Sequence, residues 1–348
     1  IRFVVKTWKN RPFQTFWIDF KSRRGKSHKQ HSRVHPPTND FMSKSRDYVL
    51  VTPVRNEEQT IEKTIEAVIS QTVRPVEWVI ASDGSTDATH DIVRGHLLKH
   101  PWIRLLELPQ RNERCFSAVV TNTMAAISHL ESQDHGYIGL LDADVHFGVD
   151  YYESIMAHFE HDPNLGLAGG MVVDPGESRD RVPRNRMDIP GAVQFYRREC
   201  FDSIGGLLPI PEGGWDGIAC VMARMAGYRT ALLSELVVDH LKPRNVSQGG
   251  VLKRRWQMGV RDRAVGYQPS FEFFKCLSRI GDKPWIAGSL AWWCGYVSAW
   301  RSGKHSLVPE PVRNHLRREH ASRIRNIFLP EKIRETISKT TISNSVAS

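Results

Sequence analysis

Residues 48–71 read YVLVTPVRNEEQTIEKTIEAVISQ. The first seven, YVLVTPV, are rich in β-branched and aromatic side chains and read as a buried strand. From Asn56 the period changes: Ile61, Ile65, Val68 and Ile69 fall at helical spacing. The same strand-then-helix order continues downstream. VEWVIASD (76–83) reads as a strand and STDATHDIVRGHLLKH (85–100) as a helix. IRLLELP (103–109) and CFSAVVTNTMAAISHL (115–130) make a third pair, and GYIGLLDAD (136–144) is a fourth strand. Strands alternating with helices of this length predict an α/β layer with a mostly parallel sheet flanked by helices. Beyond residue 150 the alternation loosens. LGLAGGMVVD (165–174), AVQFYRREC (192–200) and ALLSELVVDH (231–240), with a helix over DGIACVMARMAGY (216–228), read as a mixed extension of the same sheet.

Composition excludes several classes. Of 348 residues, 40% are hydrophobic and 25% charged, which fits a globular protein and not a disordered, collagen-like or polytopic membrane chain. The net charge of +10 is uneven. Residues 1–46 hold 12 Lys/Arg against 2 Asp/Glu, residues 47–300 hold 26 against 32, and residues 301–348 hold 10 against 4. A mildly acidic body thus carries two basic arms. The expected organisation is a basic arm or linker over 1–46, the main α/β domain over 47–245, a helical extension over 246–300 and a basic tail over 301–348. Basic arms favour an acidic membrane face or nucleic acid, but the acidic body argues against a groove that tracks a strand, so no specific nucleic acid is expected. The five cysteines (115, 200, 220, 276 and 294) are odd in number and never at CxxC spacing. That points away from a disulfide framework or a zinc site and toward a reducing compartment.

PWIAGSLAWWCGYVSAW (284–300) is uncharged and holds four of the ten tryptophans. It is short for a span, which takes about 20 apolar residues. Tryptophan gathers at membrane–water boundaries, so an interfacial helix is the expectation, with a buried helix packed on the main domain as the alternative.

The chemistry-bearing residues stand directly after the predicted strands, whose ends read TPVRNEE, SDGSTD and LDADV. Ligands of an open α/β sheet bind at the carboxyl ends of its strands, so these ends should line one crevice. Asp142 and Asp144 are one residue apart, and in extended chain i and i+2 point the same way. Two carboxylates on one side repel unless a cation lies near, and hard oxygen ligands favour Mg²⁺ or Mn²⁺. The alternative is a solvated strand end built of turn formers. Asp216 follows two glycines and opens a helical pattern, as either an N-cap or a general base, with Glu212 four residues upstream. Asp239 and His240 end the VVDH run, and a neutral imidazole there could complete a metal shell begun by Asp144. No GxxxxGKS/T loop and no GxGxxG follows the first strand, so neither a P-loop nor a dinucleotide turn is supported.

In this order, VTPVRNEEQTIEKTIEAVISQ, VIASDGSTDAT, LDADV, GGWDGIACVMARMAGYRT and VVDH resemble the family 2 glycosyltransferases, inverting enzymes of the GT-A fold. They look most like members involved in bacterial polysaccharide assembly. The resemblance spans residues 47–245 and extends more weakly to residue 300. It implies transfer of a sugar from a nucleoside-diphosphate sugar to a hydroxyl of a saccharide or lipid-linked acceptor. Pro53, Asn56 and Glu57 match the strand end that holds the nucleotide, and Asp83 matches the residue that binds the nucleobase. Asp142 and Asp144 match the DxD pair, with Asp144 nearest an Mg²⁺ or Mn²⁺ ion and His240 joining that shell. Asp216 matches the base that deprotonates the acceptor, with Trp215 beside the substrate, and Arg111 and Arg114 fall where basic residues meet the diphosphate. The QxxRW motif of processive members is not matched: in RRWQMGVRDR, Gln257 and Arg261 are separated by three residues and no Trp follows.

Together with the basic arms and the Trp-rich stretch, the resemblance implies a cytoplasmic protein, peripheral at the inner face of the cell membrane. Two other readings stay open. A sugar-phosphate nucleotidyltransferase would want a glycine-rich basic loop where this chain has the acidic NEE. A non-catalytic scaffold binding membrane or nucleic acid would be free to lose Asp83, Asp142, Asp144 and Asp216, all of which are present.

Overall fold

The computed structural model describes residues 46–109, 116–180, 182–183, 185–243, 250–303 and 306–328. All of these fall in one compact unit. β1 (Tyr48–Val54), β2 (Glu77–Asp83), β3 (Ile103–Leu108) and β4 (Tyr137–Leu140) alternate with α1 (Ile61–Ile69), α2 (Thr89–Leu97) and α3 (Phe116–Ser128). The four strands are parallel, in the order β3-β2-β1-β4. Burial on both faces explains why β1, β2 and β4 read as largely apolar runs, whereas the edge strand β3 is only partly buried and carries Arg104 and Glu107. Period-two alternation decides which core each side chain enters. Tyr48, Leu50, Trp78 and Ile80 meet Ile61, Ile65 and Val93 of α1 and α2, whereas Val49, Val51, Val79 and Ala81 meet Val120 and Ala126 of α3. α1 and α2 are shorter than the sequence pattern suggests. Residues 56–60 form a turn ahead of α1, and in it Asn56 takes a left-handed φ of 55°.

The sheet then becomes mixed, as expected. β5 (Val145–Phe147), α4 (Tyr151–His161), β6 (Leu165–Val173), β7 (Phe195–Arg197), α5 (Arg198–Ser203), α6 (Trp215–Met225) and β8 (Arg229–His240) follow in turn. β7 is antiparallel to β4 and β6, β8 is parallel to β6, and β5 is antiparallel to β8. The eight strands lie in the order β3-β2-β1-β4-β7-β6-β8-β5. AVQFYRREC is not one strand: after Arg197 the chain turns at once into α5, because Cys200, Phe201 and Ile204, at helical spacing, all enter the second core.

Four helices complete the described chain: α7 (Gly250–Val265), α8 (Pro269–Leu277), α9 (Trp285–Arg301) and α10 (Glu310–Phe328). The expected basic tail over 301–348 thus contains a packed helix. Its charge masks one apolar row, Val312 and Leu316, which joins Ile218 and Val221 of α6 and Val265 of α7 in a third core. Glu319 of α10 also pairs with Arg224 of α6 at 2.7 Å. α7 and α9 cross at backbone contact. A Cβ on Gly259 would lie 2.0 Å from the Trp292 carbonyl oxygen, and one on Gly295 would lie 2.1 Å from that of Trp256. The Trp-rich stretch is therefore buried on one side, with Trp292 3% exposed, and open on the other, with Ile286 68% exposed. No helix among the described residues is long and apolar enough to cross a membrane.

Candidate active site

β4 ends at Leu140, before either carboxylate of LDADV. Asp142 and Asp144 stand in the turn between β4 and β5, so strand alternation is not what aligns them. Hydrogen bonds fix the turn from several sides instead. Leu141 N donates to Val51 O at 3.0 Å, Asp142 N donates to Ala192 O at 3.0 Å, and Leu241 N donates to Asp144 O at 2.8 Å. The buried Thr64 hydroxyl of α1 lies 3.0 Å and 2.9 Å from the carbonyl oxygens of Ala143 and Val145.

His240 reaches the turn through strand register. β8 runs between β5 and β6, with His240 opposite Val145 and Asp239 opposite Val173. The imidazole is thereby set between two carboxylates: Nε2 lies 3.4 Å from Asp144 Oδ1, and Nδ1 lies 3.2 Å from Asp174 Oδ1. One ligand atom each from Asp142, Asp144 and His240 falls within 4.8 Å of the others. A carboxylate on the second ring nitrogen is the usual way to orient a metal-binding imidazole. Lys242 pairs with Glu57 and lies 3.4 Å from Asp144 Oδ2.

The electrostatics separate the two aspartates. Burial, then the neighbouring Asp144 charge, pushes the Asp142 carboxyl up to about 7, with Glu57 and Asp216 adding to the effect and His240 opposing it. Burial also raises Asp144, but hydrogen bonds and charge from His240 and Lys242 outweigh it and hold that carboxyl below its ordinary value. The cluster is short of positive charge on the Asp142 side. Two carboxylates with one imidazole suit a divalent cation of the Mg²⁺ or Mn²⁺ kind.

The ends of β1 and β2 lie side by side, in register Val54 opposite Ser82. Asp83 ends β2 and is 4% exposed, and it lies 3.6 Å from Arg55 Nη1 through Oδ2, while its buried Oδ1 has no hydrogen-bond partner among the described residues. Pro53 is a β1 residue opposite Ala81. Asn56 and Glu57 tie the two strand ends together. The Asn56 side-chain oxygen accepts from Thr86 N at 2.8 Å, and Glu57 N donates to Thr89 Oγ1 at 2.8 Å. The Glu57 carboxylate is the partner of Lys242, which joins this strand end to the aspartate turn.

Asp216 lies in the first turn of α6. It is not the N-cap: Gly214, with a φ of 87°, takes that position, and no side chain caps the helix. The carboxylate is thus not committed to the helix, and it is near enough to Asp142 to raise it. Gln194 Nε2 holds the Asp216 carbonyl at 3.1 Å. The Trp215 ring lies over Gly191, where a Cβ would come within 2.7 Å of it. Beside Asp216 opens a cleft of about 280 Å³ between α6, α7 and α10, lined by Asp188, Arg224, Arg261, Tyr267, His320 and Arg323 among others.

The structure brings Glu57, Asp142, Asp144, Asp216 and His240 together, with Asp83 at the adjacent strand end. Arg111 and Arg114 lie outside the described residues. Two participants were missed in the sequence, Asp174 and Lys242. Asp174 carries a readable signal, since it closes the apolar run LGLAGGMVV as Asp142 follows YIGLL. Lys242 carries none beyond its place after VVDHL.

The chain is similar to known proteins in sequence and in fold. Chondroitin synthase of Escherichia coli is 32% identical over 113 residues, which is 32% of this chain and 15% of that protein. Poly-beta-1,6-N-acetyl-D-glucosamine synthase of Staphylococcus aureus is 26% identical over 142 residues, 40% of this chain and 29% of that protein. The chain thus spans less than a third of the length of these curated relatives. Among solved structures, the mannosyltransferase PcManGT from Pyrobaculum calidifontis, in complex with GDP-Man and Mn²⁺, superposes with a TM-score of 0.50 at 18% identity. That likeness covers 88% of this chain and 87% of that one, and it is a likeness of fold. The fold is the GT-A type. A family model described as Glycosyl transferase family 2 matches residues 49–236, more than half of the chain, and the chain belongs to that family.

Proposed function

We propose that the protein transfers a sugar, with inversion, from a nucleoside-diphosphate sugar to a hydroxyl of a saccharide or lipid-linked acceptor. One observation carries this reading: Asp142, Asp144 and His240 converge at the carboxyl ends of the strands with Asp216 close by. The relatives named as polysaccharide synthases support the substrate class. GDP-Man and Mn²⁺ in PcManGT support a nucleotide-sugar donor and a divalent metal.

Each residue then has a task. Asp83 offers its unsatisfied Oδ1 to an N–H of the nucleobase, where a buried acceptor gains most from a donor. Pro53, Asn56 and Glu57 shape the floor under the nucleotide, and Asn56 does so by bracing the loop. Asp142, Asp144 and His240 would hold Mg²⁺ or Mn²⁺, which would supply charge neutralisation at the diphosphate. Lys242 adds a cation on the same side. The acceptor enters along the cleft between α6, α7 and α10, and its hydroxyl proton passes to the Asp216 carboxylate as the oxygen attacks the anomeric carbon. A single displacement inverts that carbon. Trp215, packed on Gly191, steadies the turn that carries Asp216. Work at a membrane surface is the second half of the reading, supported by the open apolar side of α9.

The test is release of nucleoside diphosphate from a panel of sugar nucleotides, with and without Mn²⁺ or Mg²⁺. One donor is expected to turn over, and Asp144→Ala and Asp216→Ala are each expected to lower turnover by about 10²- to 10⁴-fold. Turnover that survives both substitutions would overturn the assignment of the site.

A further inference from the structure

Large apolar side chains are exposed unevenly in this molecule. Among the described residues 17 are well exposed and 11 of them lie between Val251 and Leu307, so the excess there belongs to the C-terminal helices and not to the sheet domain. On α9 the exposed residues form a face. Ile286, Leu290 and Trp300 are 68%, 58% and 54% exposed, and they lie opposite Gly288, Trp292, Gly295 and Ala299, which are buried. The helix is apolar all round, a pattern expected only where both sides leave water. On α8 and just beyond it, Phe273, Leu277 and Ile280 repeat at i, i+4 and i+7 and are likewise exposed. Phe273 meets Trp293 of α9 edge-on at 5.8 Å, which joins the two rows into one surface.

Charge identifies the occupant. Residues 250–303 hold 9 Lys/Arg against 3 Asp/Glu. Two of those acids, Asp262 and Glu272, are 1% and 0% exposed, and the third, Asp282, is paired with Arg279 at 3.4 Å. What these helices show to solvent is therefore apolar surface bordered by cations, among them the exposed Lys253, Lys283 and Arg301. A soluble protein partner would need a matching apolar patch with an acidic rim. An anionic bilayer offers both chemistries over any area, and indole rings favour its boundary.

We propose that the outer face of α8 and α9 docks on an anionic phospholipid surface, with Ile286, Leu290, Trp285 and Trp300 entering the acyl boundary and Lys253, Lys283 and Arg301 meeting the headgroup phosphates. This rests on the membrane half of the reading above, and its test keeps the transferase half separate. Full-length protein is sedimented with vesicles of phosphatidylcholine alone and of phosphatidylcholine mixed with phosphatidylglycerol. Binding is expected to the mixed vesicles, to weaken as salt rises, and to shift tryptophan emission to the blue. The double variant Ile286→Asp with Leu290→Asp is expected to lose at least about tenfold in vesicle affinity. Lys283→Glu with Arg301→Glu is expected to lose about tenfold as well. Both should keep the wild-type unfolding midpoint and nucleotide release. If the aspartate pair disturbs the fold, Ile286→Ser with Leu290→Ser replaces it.

The proposal fails if the protein binds neither vesicle, or if both double variants bind as wild type does. It also fails if sedimentation reveals a self-associated form that the aspartate pair dissolves, because a second copy would then cover the face. Loss of nucleotide release in every form would count against the transferase reading and leave the vesicle result standing.

Discussion

Asp144 and Asp262 are both nearly buried, 8% and 1% exposed, yet they sit in opposite kinds of surroundings. Asp262, on α7, is answered by its own chain. It pairs with Lys275, lies 3.2 Å from Arg261 Nη2 and accepts from Trp292 Nε1 at 2.7 Å. Burial raises its carboxyl, but the Lys275 and Arg261 charges outweigh this and hold it below the ordinary value. Among the described residues Asp144 has an imidazole and a lysine shared with Glu57 as its cationic partners, and next to it Asp142 is driven up to about 7. A buried carboxylate with its own cations belongs to the architecture. A buried pair with fewer cations among the described residues, at the open end of a sheet, has the chemistry to suit one.

The largest expected effect falls on the satisfied cluster. Asp262→Ala should lower the free energy of unfolding by about 3–5 kcal/mol, since it takes the shared carboxylate from Arg261 and Lys275 and leaves Lys275 to the Glu272 carboxylate 3.7 Å away. Chemical denaturation measures this, and a loss no larger than that of a surface substitution would erase the distinction between the clusters. Next comes the outer partner of His240. Asp174→Asn should weaken Mn²⁺ binding by about 10- to 100-fold with little change in stability, read by calorimetric titration. Unchanged affinity would mean that His240 is oriented by other contacts or does not take part.

The smallest effect compares two imidazoles. His240 lies between carboxylates, whereas His320 is 1% exposed, stacked on Phe271 at 3.6 Å, with burial and the Arg323 and Lys275 charges pushing it from 6.5 down to about 3. Between those values the unfolded chain binds a proton that the folded chain refuses, so stability falls as pH falls below 6.5. His320→Phe should make that slope shallower by about 1.4 kcal/mol per pH unit near pH 5, measured by denaturation at several pH values. Parallel slopes for the two proteins would show that His320 is protonated in place.

The local plan of this molecule was legible because local physics made it. YVLVTPV and VEWVIASD had to be strands buried on both faces, and LDADV had to end one. The aspartates were found for a reason that needed correcting, since a turn held by Thr64 and Val51, not strand alternation, brings them together. What stayed hidden depends on distant register. Nothing near LGLAGGMVVD tells which strand lies beside it, so Asp174 could not be matched to His240 until β8 was seen between β5 and β6. α10 was hidden differently: two apolar residues, Val312 and Leu316, suffice to anchor a helix whose overall composition looks like a solvated arm.

The glycine crossing of α7 and α9 has a mechanical consequence. With backbone against backbone at Gly259 and Gly295, no side chain lies between the helices to yield by changing rotamer. α7 then touches Gly214, the cap of α6, where a Cβ would stand 3.2 Å from Val265 Cγ1 and 3.3 Å from Arg261 Cδ. Asp216 follows two residues later. Three helices thus form a stiff linkage with an apolar face at one end and a carboxylate at the other. A load on the outer face of α9 bears on rigid backbone, and α7 is the element that separates it from the turn carrying Asp216.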